Sequence, residues 1–223
     1  MNIYNKDWNK LLDKATDDYT AIARPMTKRY FKRYMEHLND LLDLRSGERF
    51  LEAPAANGVM SEYFRKVYGV IPTCVDINPR MCALSKKKNL FTTQASVTEL
   101  DKVFGSNSFD KILMGGVAMH LSQEDLLETI KGCLSIYTGT GRIVIHDIPI
   151  LQGEVSIEHM IRMTDKCRPS AFNMLNWTYH DLDLIDRMLK PYDHFIYRQT
   201  EYVTKILKNW QFMVDIVIGG KSK

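Results

Sequence analysis

The chain has 223 residues, 45% of them hydrophobic and 26% charged, with a formal net charge of +3. That balance describes one globular domain with room for a sizeable core, and the small charge argues against a nucleic-acid partner. Cys74, Cys82, Cys133 and Cys167 form no CxxC pair, which speaks against a zinc site or a disulfide framework. With no apolar signal region and no run of membrane-spanning length, the expectation is a cytoplasmic protein with no membrane partner.

In chain order, residues 5–18 and 25–44 read as amphipathic helices; in the second, Phe31, Tyr34, Leu38, Leu41 and Leu42 recur at helical spacing. Its Lys28, Arg29, Lys32 and Arg33 form a wet face. Residues 50–53 are a first strand, 58–68 a helix and 73–77 a second strand. Asn78 caps a helix over 79–88, with Pro79 in its first turn. Residues 90–95 form a third strand, and the segment after Ser108 leads into a fourth. Ser122 and Asp125 make a capping box for a helix to about Ser135. Residues 138–141, Thr-Gly-Thr-Gly, are a turn, and 142–148 are a fifth strand, apolar enough to be central. Residues 150–178 break the rhythm, 181–189 are a helix, and 194–204 and 209–219 alternate as an antiparallel pair. Strands alternating with helices predict an α/β fold with a doubly wound sheet.

The stretch from Arg49 to Asp76 carries the most information. A strand ends in Glu52, a turn of small residues leads to a helix at Gly58, and a second strand ends in Asp76. This is the nucleotide-binding half of an open parallel sheet, in which an acid about 20 residues past the turn suits ribose hydroxyls. The turn has one glycine, so no pyrophosphate fingerprint is present and a nicotinamide dehydrogenase is disfavoured.

Five segments in order resemble the class I S-adenosylmethionine-dependent methyltransferases. They are Phe50-Leu-Glu-Ala-Pro-Ala-Ala-Asn-Gly, Cys74-Val-Asp-Ile-Asn-Pro-Arg-Met, Ser108-Phe-Asp-Lys-Ile-Leu-Met, Ala118-Met-His-Leu and Gly141-Arg-Ile-Val-Ile-His-Asp. The resemblance implies a Rossmann-like, mostly parallel seven-stranded sheet with an antiparallel edge hairpin and a helical lid. It implies S-adenosyl-L-methionine as cofactor. The matching organisation is an N-terminal helical cap (1–44), a cofactor-binding α/β core (45–149), a lid and substrate insertion (150–178), and a C-terminal helix with edge strands (179–223). By position, Glu52 lies near the cofactor's amino group, and Ala53, Pro54, Ala56 and Gly58 belong to its first loop. Asp76 would hold both ribose hydroxyls, Ile77 and Met81 flank the adenine, and Ser96 and Val97 lie at the adenine edge. Gly115 and Gly116 lie under the methionine moiety, and Tyr19 resembles a tyrosine that closes over the cofactor. Ala56 and Ser96 depart from the family's glycine and acid; the first would be strained if its φ is positive.

Methyl transfer requires alignment of the nucleophile and, for some acceptors, removal of its proton. His120 and His146 are the candidate bases, each with an alternative reading as a satisfied packing residue; His180 and Asp147 are further candidates. The expected substrate is a small molecule accepting at O or N. The helices before the sheet offer a homodimer interface. Two alternatives remain open: a protein of this fold that binds the cofactor without transferring a methyl, or an enzyme for another reaction such as a cyclisation.

Overall fold

A computed structural model describes residues 3–21, 27–150, 177–198 and 213–221. Seven strands form one sheet in the order β3-β2-β1-β4-β5-β7-β6. These are β1 (Arg49–Glu52), β2 (Ile71–Asp76), β3 (Phe91–Gln94), β4 (Phe109–Gly115), β5 (Tyr137–Pro149), β6 (Tyr192–Arg198) and β7 (Met213–Lys221). Strands β3, β2, β1, β4 and β5 pair in parallel; β7 runs antiparallel between β5 and β6. The α/β fold class is therefore as expected. The lid expected at 150–178 lies outside the described residues over 151–176, as do 199–204 and 209–212 of the expected edge strands.

Period-2 alternation assigns the two faces of the sheet. Leu51, Ile112, Met114, Ile143, Ile145 and Ile216 share one core cluster with Leu126 and Ile130 of α6 (Gln123–Ile136) and Ile185 and Leu189 of α7 (Leu182–Leu189). Phe50, Leu113, Val144 and Val217 share the other cluster with Phe31, Met35, Leu38 and Leu42 of α2 (Lys28–Leu42) and Phe64 of α3 (Val59–Tyr68). Strands β1, β4 and β5 are apolar on both faces because both faces are covered. Helices α1 (Ile3–Lys14), α4 (Pro79–Lys87) and the short α5 (Leu100–Val103) are the other α-helices among the described residues. None of the described helices is long and apolar enough to cross a membrane.

Local signals set most boundaries. Helix α2 starts one turn later than the periodicity indicated, because Thr27 accepts a hydrogen bond from the Tyr30 N–H (3.3 Å) and caps it. Asn78 accepts from Arg80 N–H and caps α4 with Pro79 behind it, and Ser122 accepts from Asp125 N–H to start α6. The segment 138–141, expected as a turn, is instead drawn into β5. The ladder to β4 jumps from Phe109↔Tyr137 to Lys111↔Arg142, so the intervening residues are absorbed as an irregularity rather than a chain reversal.

One buried cation ties a helix to the sheet. Lys111 of β4 is 3% exposed, and its Nζ donates to the carbonyls of Leu42 (2.9 Å) and Asp43 (2.7 Å) at the C-terminus of α2, with Glu48 3.6 Å away. Helix ends leave carbonyls unsatisfied and carry negative partial charge, so an ammonium placed there satisfies both. Replacing it with an apolar side chain removes the ammonium donor from one buried and one partly buried carbonyl. Lys111→Met is therefore expected to lower unfolding free energy by about 1–3 kcal/mol, read from the urea midpoint; an unchanged midpoint would remove Lys111 from the account.

Candidate active site

The carboxyl ends of β1, β2, β4 and β5 border a cavity of about 390 Å³. Its wall includes Glu52, Pro54, Ala56, Asp76, Ile77, Met81, Ser96, Val97, Gly115, Gly116, His120, His146 and Asp147. Open parallel sheets bind ligands at this edge, where strand order reverses, here between β1 and β4.

The first loop is held by hydrogen bonds from neighbouring strands. Ala53 N–H donates to Leu113 O and Ala55 N–H to Val75 O. Ala56 sits at φ 46° and its N–H donates to Asp76 Oδ2 at 2.8 Å. The expected strain is thus present: a non-glycine residue in the left-handed region, worth roughly 1–2 kcal/mol, held by a charge-assisted bond. Gly58, at φ 74°, caps α3, and a Cβ there would lie 2.7 Å from Leu90 Cδ1. Its glycine is required by backbone conformation and by packing of α3 on the β3 side. Neither Ala53 nor Gly58 lines the cavity.

Glu52 is 1% exposed. Ser61, in the first turn of α3, donates to its Oε2 through both N–H (3.0 Å) and Oγ (2.5 Å). Its Oε1 is buried with no hydrogen-bond partner among the described residues. Burial pushes the carboxyl up to about 8, against the opposing pull of Ser61. Asp76 accepts from Asn78 N–H through Oδ1 (2.8 Å) as well as from Ala56 through Oδ2; burial raises it to about 6 despite these donors. A buried acid with one unsatisfied oxygen suits an incoming ammonium, and a backbone-oriented carboxylate suits a pair of hydroxyls. The chemistry of this donor set fits S-adenosylmethionine. Buried Met81 and Val97 and the more exposed Ile77 give the apolar surfaces a purine needs. Ser96 lies in the same wall, its Oγ accepting from Thr98 N–H at the start of a single 3-10 turn, Val97–Glu99.

The N-terminal segment enters differently from the expectation. Tyr19 is outside the cavity wall; its ring packs edge-on against Phe31 at 5.0 Å and borders a second surface depression. Trp8 of α1 lines the cavity instead. Helix α1 is anchored over the cofactor end by Arg80–Asp13 (2.8 Å) and by the Asn78 amide donating to Asn9 Oδ1 (3.2 Å). Nothing in the spacing around Trp8 separates it from an ordinary amphipathic helix residue.

At the β4–β5 end, His120 closes a single 3-10 turn (Ala118–His120) and is partly buried, which lowers its pKa from the ordinary 6.5. His146 is 1% exposed and opposes Gly115 in the ladder. Its Nδ1 is 2.8 Å from Asp215 Oδ1 on β7, and its Nε2 is 3.4 Å from Asp147 Oδ1. The β5–β7 register shifts between Ile145 and Ile148, and Asp147 takes φ 66° within that bulge. Bulges re-aim side chains at strand ends, and this one brings both His146 and Asp147 to the cavity. Tyr34 and His37 of α2 cover the imidazole, with ring centroids at 5.5 and 6.4 Å. His180 is elsewhere: it is buried, its Nε2 bonds Ala118 O at 2.8 Å, and it ties the β4 loop to the start of α7. Sequence reasoning passed over Asp215, a lone acid in an apolar strand, which is itself the signal that could have found it. His146, Asp147 and Asp215 offer atoms within 4.8 Å of one another. The 2.8 Å Nδ1–Oδ1 separation is hydrogen-bond length. The group therefore reads as a histidine–carboxylate pair.

Comparison with known proteins agrees with this geometry. Residues 51–145 match the family described as "Methyltransferase domain". No curated protein sequence matches the chain. Among solved structures, Haemonchus contortus phosphoethanolamine N-methyltransferase 1, in complex with phosphoethanolamine and S-adenosylhomocysteine, superposes with a TM-score of 0.69 at 12% identity. The likeness covers 98% of this chain and 48% of that one. The geranyl diphosphate C-methyltransferase from Streptomyces coelicolor A3(2), in complex with Mg2+, geranyl diphosphate and S-adenosyl-L-homocysteine, gives 0.62 at 12% identity over 99% and 98% of the chains. The structure described as "Complex between the Haloferax volcanii Trm112 methyltransferase activator and the putative methyltransferase" gives 0.67 at 11% identity over 100% and 99%. At such identities the superpositions establish the fold, and the family match covers the α/β core: residues 51–145 are similar to the methyltransferase domain family.

Proposed function

We propose that the protein transfers a methyl group from S-adenosylmethionine to an oxygen or nitrogen of a small molecule, with a histidine at the β4–β5 end accepting the acceptor's proton. The observation that carries this reading is one continuous cavity with two chemically different ends. One end presents Glu52 and Asp76, and the other presents His120 and His146. When bound, the cofactor supplies an activated methyl on a sulfonium.

The chain's own residues do the rest. Glu52 Oε1 receives the ammonium, Asp76 orients the ribose, and Met81, Val97 and Ile77 enclose the purine. Ser96 stands at the purine edge, and Gly115 leaves room beneath the methionine portion. Burial keeps the His120 imidazole neutral at neutral pH, the form able to take a proton. Enclosure by Trp8, Tyr34 and Met60 removes water, which would compete as a nucleophile. The testing experiment is calorimetric titration with S-adenosylmethionine and S-adenosylhomocysteine, followed by a screen of phenols, catechols and amines for methylated product. Binding without product from any acceptor would favour the non-transferring alternative.

Asp76→Ala is expected to weaken S-adenosylhomocysteine binding by about 2–4 kcal/mol, measured by the same titration; unchanged affinity would sink the ribose assignment.

Glu52 gives a pH signature. With its folded value at about 8 and the ordinary value at 4.5, the folded apoprotein holds this proton over a window in which the unfolded chain has lost it. The stability it contributes is complete below 4.5 and declines as pH rises towards 8. Receiving an ammonium favours the carboxylate, so cofactor binding at pH 7 should release a proton and tighten as pH rises through that window. Titrations in two buffers of different ionisation enthalpy read the release directly, and Glu52→Gln should abolish it.

His120→Asn and His146→Gln should leave S-adenosylhomocysteine affinity within about twofold. The variant that removes the base should lower kcat by about 10²–10⁴-fold. Full turnover in both would exclude a histidine base.

A further inference from the structure

Asp215 is 2% exposed on β7, a strand otherwise filled by Val214, Ile216, Val217 and Ile218 on either side. A carboxylate in such a place is strongly penalised by desolvation unless it is paired and hydrogen-bonded. Here Oδ1 accepts from the Asp147 N–H at 3.0 Å and lies 2.8 Å from His146 Nδ1. Oδ2 lies 4.0 Å from His37 Nε2. The antiparallel insertion of β7 beside β5 makes the contact possible. The β5 bulge turns the Asp147 N–H onto the same oxygen that meets the imidazole.

We propose that Asp215 is a positioning residue for the reaction: it fixes His146 as the Nδ1–H tautomer, so that Nε2 is the nitrogen that accepts the acceptor's proton. This deepens the methyl-transfer reading above and rests on it. Oδ1 already receives one backbone N–H, so it acts as an acceptor toward its second neighbour, and Nδ1 must supply the hydrogen. The opposite edge of the ring lies toward Asp147, which lines the cavity while Asp215 does not. The Nε2–Asp147 separation of 3.4 Å is longer than the Nδ1–Asp215 contact, which places the neutral ring's proton on Nδ1. Once Nε2 takes a proton from the acceptor, the imidazolium stands between two carboxylates, and the charge is stabilised without movement. The proton that leaves the acceptor ends on Nε2, and the acceptor's electron pair forms the new bond to carbon as the carbon–sulfur bond breaks. The charged and titratable groups facing this ring are Asp215 from β7, Asp147 from β5, and Tyr34 and His37 from α2, with Asp40 acting on His37.

The test is long-range 1H–15N spectroscopy of histidine-labelled protein saturated with S-adenosylhomocysteine, recorded at rising pH until the ring signals stop shifting, so that the neutral ring is read. His146→Gln assigns the resonance. The expected result is a protonated Nδ1 and an unprotonated Nε2 in the wild type. In Asp215→Asn the amide can donate to Nδ1, and the pattern should switch to a protonated Nε2 with S-adenosylhomocysteine affinity within about twofold. For an acceptor found in the screen, the variant should lose about 10²–10⁴-fold in kcat with little change in KM. A wild-type ring protonated at Nε2 overturns the proposal, as does an unswitched ring or an unchanged kcat in Asp215→Asn. Failure of S-adenosylhomocysteine to bind, with the wild-type tautomer as expected, would instead strike the methyl-transfer reading.

Discussion

The carboxylate of Asp76 is the interaction on which the loop after β1 and the start of α4 depend. It lies at the end of β2 and reaches back 20 residues to hold the Ala56 N–H, while its other oxygen holds Asn78 at the start of α4. Three elements thus meet on one side chain. Without that bond the loop after β1 would have no reason to accept alanine in the left-handed region, because the Cβ conflicts with the backbone there. The departure from glycine is tolerated because the strain is opposed by a charge-assisted hydrogen bond in a partly buried place.

A second carboxylate, Glu52, shows how burial prepares a site for charge. Among the described residues, its surroundings satisfy one oxygen and give the other no partner, so the ionised form is costly until a cation arrives. The same desolvation that raises its proton affinity makes an ammonium a favourable partner. At the other end of the cavity the method differs. The β5 bulge and the insertion of β7 gather a histidine and two acids, so that a positive charge on the imidazole would be compensated within the protein.

Helix packing stabilises both ends. Helix α2 lies over the half of the sheet that carries β4, β5 and β7, is anchored at its C-terminus by Lys111, and presents Tyr34 and His37 to His146. Helix α1 lies at the cofactor end and brings Trp8 to the cavity. The N-terminal helices therefore form part of the wall of the site, in keeping with the general use of the strand carboxyl edge for ligands.

Local patterns in the chain are enough for the order of the described strands and helices, the caps at Asn78 and Ser122, and the two acids at the ends of β1 and β2. These are local matters: period, propensity and a chain reversal each depend on residues a few positions apart. The sequence also placed His120 and His146 at the ends of their strands. Only the tertiary structure decided that β7 lies beside β5, that residues 138–141 continue a strand, and that Trp8 rather than Tyr19 faces the cavity. It alone joined Asp215 to His146, 69 positions earlier in the chain, and Lys111 to the end of α2, because pairing across strands and packing between layers bring together residues whose separation carries no local signal.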